Sequence, residues 1–175
     1  MKAKRILPRR IAAVAMLTAL SLITFLIENL FPPVFIPGAK LGLANAFSFA
    51  ALILFGPIDA FVVVIVRTLL GAIFAGNISA VMYSFTGGVV SMAVSSILMY
   101  TAYPKVSVMA VSVAAAVLHN IMQNIVFVFL SGSTLMFGYM PYLTLLGIFS
   151  GAVVGGITLT VFKGVPLRVF NKLTT

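Results

Sequence analysis

Long uninterrupted apolar runs, broken only at short joints rich in Pro and Gly, make up nearly the whole chain. Six runs approach the roughly 20 residues that a bilayer core requires of a helix. They cover about 10–27, 40–55, 58–75, 78–102, 106–130 and 140–162. Apolar and polar positions do not alternate along them. Of the two architectures that satisfy a backbone in lipid, continuous runs favour helices over the strands of a barrel. Proline-rich Phe31-Pro32-Pro33-Val34-Phe35-Ile36-Pro37-Gly38 follows the first run, and Gly56-Pro57 makes a tight turn that sets Pro57 at a helix start. Gly76-Asn77, Tyr103-Pro104-Lys105 and the stretch 131–138 supply the remaining joints, the last read as a loop. The pattern predicts an all-α polytopic membrane protein, a six-helix bundle forming one domain over 1–175. Its second span is the shortest.

Composition strengthens this picture, and charge orients it. Residues are 62% hydrophobic and 7% charged, with 11 basic and 2 acidic side chains. Polar surface is too scarce to wrap a water-soluble core, so the solvent is lipid. Lys2, Lys4, Arg5, Arg9 and Arg10 precede the first run, and Lys163, Arg168 and Lys172 follow the last. With both termini cytoplasmic, Lys105 also lies inside, and Lys40 alone falls in an outer connection. The net charge of +9 is thereby explained by membrane borders rather than by nucleic acid. No small-residue cleavage site follows the first run, so it reads as a retained span. Absence of cysteine excludes disulfides and thiolate metal sites.

Polar groups inside the spans are the candidate chemistry, because lipid makes them costly. Arg67 lies about ten residues into the third span. His119-Asn120-Ile121-Met122-Gln123-Asn124 places His119 and Gln123 on one helix face, and Asn120 and Asn124 on the adjacent one. Lys40, Asn45 and Asn77 sit toward the outer side. Together these eight residues predict a polar pocket open to the outside and sealed below, whose two cations favour an anionic solute. Glu28 reads as an interfacial residue able to pair with Lys40, and Asp59 as a carboxylate favoured at a helix start. Small residues recur every four positions at Ala15 and Ala19, at Gly42, Ala46 and Ala50, and at Gly147, Gly151 and Gly155. Such stripes let helix backbones approach closely. The last reads as packing within the bundle.

No phosphate-binding loop, no nucleophile elbow and no aspartate cluster for magnesium occurs, so neither an ATPase nor a prenyl synthase is encoded. His119 has no acidic partner within its motif to orient it as a base. The chain therefore reads as a non-enzyme without a cofactor or metal of its own.

Pro37-Gly38-Ala39-Lys40-Leu41-Gly42-Leu43-Ala44-Asn45 and His119-Asn120-Ile121-Met122-Gln123 resemble the two signatures of the Gx transporter family, whose members often carry the label heptaprenyl diphosphate synthase component I. The resemblance spans nearly the whole chain. That family is similar to the S components of energy-coupling factor (ECF) transporters, six-helix proteins that capture a vitamin or similar micronutrient at the outer face. They pair with a transmembrane T component and two ATPase subunits, which use ATP. Ala15-Met16-Leu17-Thr18-Ala19 matches their Ala-x-x-x-Ala motif, so the resemblance implies that Ala15 and Ala19 face the T component. It also implies a bacterial cytoplasmic membrane and a vitamin-, isoprenoid- or quinone-related solute. The alternative is a non-catalytic membrane anchor or assembly subunit beside polyprenyl diphosphate synthesis or flavin-linked extracellular electron transfer.

Overall fold

A computed structural model describes residues 3–30, 42–76 and 78–162. Among them the chain is helical apart from short turns, with no strand. The helices are α1 (Ala3–Leu30), α2 (Asn45–Phe55), α3 (Pro57–Ala75), α4 (Ile78–Thr101), α5 (Val108–Ser131) and α6 (Met140–Phe162). Five of these runs are long and apolar enough to cross a membrane, and α2 is apolar but only 11 residues long. At 1.5 Å per residue α2 extends about 16 Å, roughly half a hydrocarbon core. The second predicted span is thus shorter, among the described residues, than the apolar pattern suggested. The loop expected over 131–138 is instead mostly a 3-10 helix, Thr134–Tyr139.

Local sequence explains several boundaries. Gly56 adopts φ +101°, where a side chain is strained, and its N–H reaches the carbonyls of Ala51 and Leu52 at 3.2 and 3.1 Å. Pro57 then opens α3 at its first position. Ser107 caps α5, its hydroxyl accepting from the Ala110 N–H at 3.1 Å. The N-terminal helix begins earlier than the apolar run, so Arg9 and Arg10 are helical.

Helix order gives the bundle two ends. The proximal end carries the start of α1, the Gly56 turn and the 102–107 connection; the distal end carries Leu30, Ala75 and Ser131. Apolar side chains fill the proximal half: Leu52 and Ile53 of α2, Ala60, Val63 and Val64 of α3, Met92 and Met99 of α4, and Val108 and Val111 of α5. The outer surface is apolar too, with Phe129 80% and Leu135 84% exposed. Large apolar side chains ringing the bundle fit lipid as the solvent, and the protein is a multi-pass membrane protein.

The tightest packing is between α5 and α6. A Cβ placed on Gly147, Gly151 or Gly155 would fall 2.8, 2.5 or 2.9 Å from the Cα atoms of Val117, Val113 or Met109. The glycine stripe therefore brings α6 backbone to backbone with α5, as internal packing. Gly151→Ala should destabilise the bundle by about 1–3 kcal/mol through overpacking, and Gly151→Leu by more. Gly156→Ala, whose Cβ would meet only the Met109 Cε at 4.0 Å, should be near neutral. Thermal unfolding in detergent compares the three.

Candidate functional site

The distal half of the bundle gathers the polar side chains. Its construction begins where α2 starts. Residues 42–44 form a turn in which the Asn45 N–H donates to the Gly42 carbonyl at 2.9 Å. Two α1 side chains hold this turn. Glu28 Oε1 accepts from the Leu43 N–H at 2.7 Å, and the Ser21 hydroxyl donates to the Ala44 carbonyl at 2.8 Å. Asn45 is thereby aimed at α3, where its Oδ1 accepts from Arg67 Nη2 at 2.9 Å.

Arg67 is 3% exposed and lies eight residues before the end of α3, about 12 Å below it. Space for its guanidinium comes from Gly88 of α4, whose Cβ would sit 3.4 Å from Nη2. Glu28 is near enough for its charge to act on Arg67, and both line one small cavity with Asn45, Ser84, His119 and Gln123. Gly87 lets α4 approach α5 at the histidine. A Cβ there would meet His119 Nδ1 and the His119 carbonyl, each at 2.9 Å.

The polar run on α5 is buried in full: His119, Asn120, Gln123 and Asn124 are each 5% exposed or less. Their partners differ. Asn120 Nδ2 donates to the Leu143 carbonyl at 3.0 Å and ties α5 to α6. Arg67 Nε, Gln123 Nε2, Asn124 Nδ2 and the Ser84 hydroxyl have no hydrogen-bond partner among the described residues. Leaving such a group unpaired costs about 1–3 kcal/mol, so three around one cavity, Arg67, Gln123 and Ser84, with Asn124 a turn away from Asn120, is an unusual concentration. Donors without acceptors are suited to a carboxylate, a phosphate or a carbonyl. The space among them is small. The cavity beside Arg67 measures ≈ 10 Å³ and its neighbour below ≈ 20 Å³, about one water each. The open pocket expected from the sequence is in this conformation a set of polar residues closed around one another.

Of the residues singled out in the sequence, Asn45, Arg67, His119, Asn120, Gln123 and Asn124 all lie in this distal region, with Asn120 engaged structurally. Lys40 and Asn77 lie outside the described residues. Sequence reasoning missed Ser84, Gly87, Gly88 and the part played by Glu28. One signal was legible: Ser84, Gly88, Ser91 and Ser95 follow one face of α4 at spacings of four, three and four.

Ala15 and Ala19 occupy the other side of the molecule. Both are exposed and line an apolar groove of ≈ 640 Å³ between α1 and α3, walled by Val62, Val66 and Leu70. Arg10 closes its proximal end. Its Nε donates to Asp59 Oδ2 at 2.8 Å, Nη2 donates to the same oxygen, and Nη2 also donates to the Phe55 carbonyl at 3.2 Å.

The Arg67–Asn45 contact yields a direct test. Asn45→Ala leaves a buried guanidinium N–H without its acceptor and should lower stability by about 1–3 kcal/mol. Asn45→Asp keeps an acceptor at that place and should recover most of the loss. Thermal unfolding of the two variants in detergent checks the order.

No curated protein matches the chain. A profile of one family, described as heptaprenyl diphosphate synthase component I, matches residues 17–161. The match runs from the middle of α1 to the end of α6 and takes in the whole polar cluster, so the chain belongs to the heptaprenyl diphosphate synthase component I family.

Proposed function

We propose that the chain is the solute-capturing membrane subunit of an ECF-type importer, with the distal end of the bundle outside. The observation that carries this reading is the set of buried donors without acceptors at Arg67, Gln123, Asn124 and Ser84. A group buried at such cost and left unpaired calls for a bound partner, and this set calls for one that presents oxygen acceptors. The solute is small, of a vitamin or an isoprenoid- or quinone-related kind, with an anionic or carbonyl-bearing head. Lys40, five residues before Asn45 in the sequence, is the further cation assigned to the solute.

The chain itself performs no catalysis and carries no cofactor; ATP is used by two partner ATPase subunits, reached through a T component. Ala15 and Ala19 support this assignment because they are exposed on the floor of the α1–α3 groove, where a partner helix could pack closely. The membrane is the bacterial cytoplasmic membrane, with both termini on its inner side. Nucleic acid has no part.

The family description favours a second reading: a non-catalytic membrane anchor or assembly subunit for polyprenyl diphosphate synthesis. An anchor for flavin-linked extracellular electron transfer belongs to the same class. Neither role calls for unpaired donors in the bundle interior.

Co-purification in mild detergent separates these readings. Wild type should recover a T component and ATPases, and an Ala15→Trp, Ala19→Trp double variant should lose them while the bundle stays folded. Recovery of a synthase or redox partner, indifferent to both alanines, supports the anchor. In cells, Gln123→Leu should weaken solute capture about tenfold, the worth of one hydrogen bond of about 1.4 kcal/mol. Uptake equal to wild type would place the solute elsewhere.

A further inference from the structure

Below the Arg67 cluster a narrow seam continues toward the proximal end, bounded by α2, α4, α5 and α6. Asn45, His119 and Asn120 stand at its mouth. Ser91 and Ser95 of α4, Ser112 of α5 and Ser150 of α6 line it farther down, and all four are 6% exposed or less. Along α5 the distance from His119 to Ser112 is seven residues, about 10 Å.

The state of these hydroxyls is the informative point. A serine inside a helix has a ready acceptor in the carbonyl four residues back. Ser96 uses it, donating to the Met92 carbonyl at 2.8 Å. Ser150 donates to the Gly147 carbonyl at 3.3 Å. Ser91, Ser95 and Ser112 make no hydrogen bond among the described residues, and line the seam instead. Three helices thus contribute four hydroxyls to one column, three of them unpaired. A hydrocarbon chain laid along that column would offer the three hydroxyls no partner and turn them back on their own helices. A chain bearing hydroxyls would pair with them.

We propose that this seam is the inner chamber of the solute site and takes a slender hydroxylated chain of polyol type, with the head of the same molecule at the Arg67 cluster. The inference rests on the solute-capture reading above and narrows it, since it disfavours an isoprenoid tail. Its cavity volume of ≈ 20 Å³ means that the chamber opens to be filled. The looser wall of the seam is where α2 meets α4 and α6, which it touches only lightly while it stays packed on α3 and α1; α5, by contrast, is packed along both α4 and α6.

A chain free of cysteine allows a direct test. Ser95→Cys, Ser112→Cys and Gln123→Cys are prepared singly in nanodiscs, with Val63→Cys as a control fully buried in the proximal core. Each is treated with the hydrophilic reagent sulfonatoethyl methanethiosulfonate, which needs a hydrated thiolate. Both seam cysteines should react at least about tenfold faster than Val63→Cys. Ribitol should slow that labelling, and geranyl diphosphate should not. Reaction at Gln123→Cys with both seam cysteines as slow as the control overturns the chamber and leaves the cluster reading standing. No reaction at Gln123→Cys either overturns both. Slowing by geranyl diphosphate and not by ribitol overturns the polyol assignment.

Discussion

A guanidinium held in the middle of an apolar bundle is the constraint from which much of the distal architecture follows. Arg67 cannot be left bare in hydrocarbon, so polar groups must reach it from other helices. Asn45 does so from the start of α2, and that start is in turn fixed by Glu28 and Ser21 of α1. Gly88 clears room on α4. Four helices thus have their relative placement bound up with a single side chain. The remaining polarity of that half, on α5, stands around the same point.

The two halves of the bundle differ in kind. Proximally, Leu, Ile, Val and Met side chains interlock in the manner of any well-packed interior. Distally, the interior is amide, hydroxyl and guanidinium, with several donors left without a partner among the described residues. The first arrangement is complete as it stands, while the second has hydrogen-bonding capacity left over. The same contrast appears in the helix contacts. Glycines weld α5 to α6 through their backbones, whereas α2 packs on α3 and α1 and meets α4 and α6 only lightly. An interior with spare capacity, bordered by a loose seam between α2 and the α4–α6 side, has the physical ingredients for taking up a molecule.

Much of this could be read along the chain. Apolar run lengths located α3 through α6 closely, since in lipid the length of the run is the length of the helix. The α5 polar cluster was visible because four polar side chains in six positions are conspicuous against carbon. Other features were hidden for physical reasons. That Asp59 meets Arg10, 49 residues away, depends on how α1 crosses α3, which no periodicity encodes. Glu28 read as an interface residue because its acceptor role is toward a backbone N–H in a turn. The serines of α4 escaped notice because serine is common in membrane helices and usually bonds its own helix; only their unpaired state sets them apart. The size of the cavity was beyond reach altogether, because sequence names the lining of a space and not its width.

The attachment of α1 has a mechanical consequence. Its proximal end is pinned by Arg10 to Asp59, and its distal part by Ser21, Phe25 and Glu28 to α2 and α3. Between these fastenings, from Ile11 to Ala19, one flank borders the groove rather than a neighbouring helix. The segment is a beam fastened at both ends, seated on the core through Val14 and Leu17 along one flank and open to the groove along the other. Such a beam resists sliding along its own axis and passes a load on its open flank to its fastenings. Whatever presses on its centre is felt at both supports, and the distal support is the turn that presents Asn45 to Arg67.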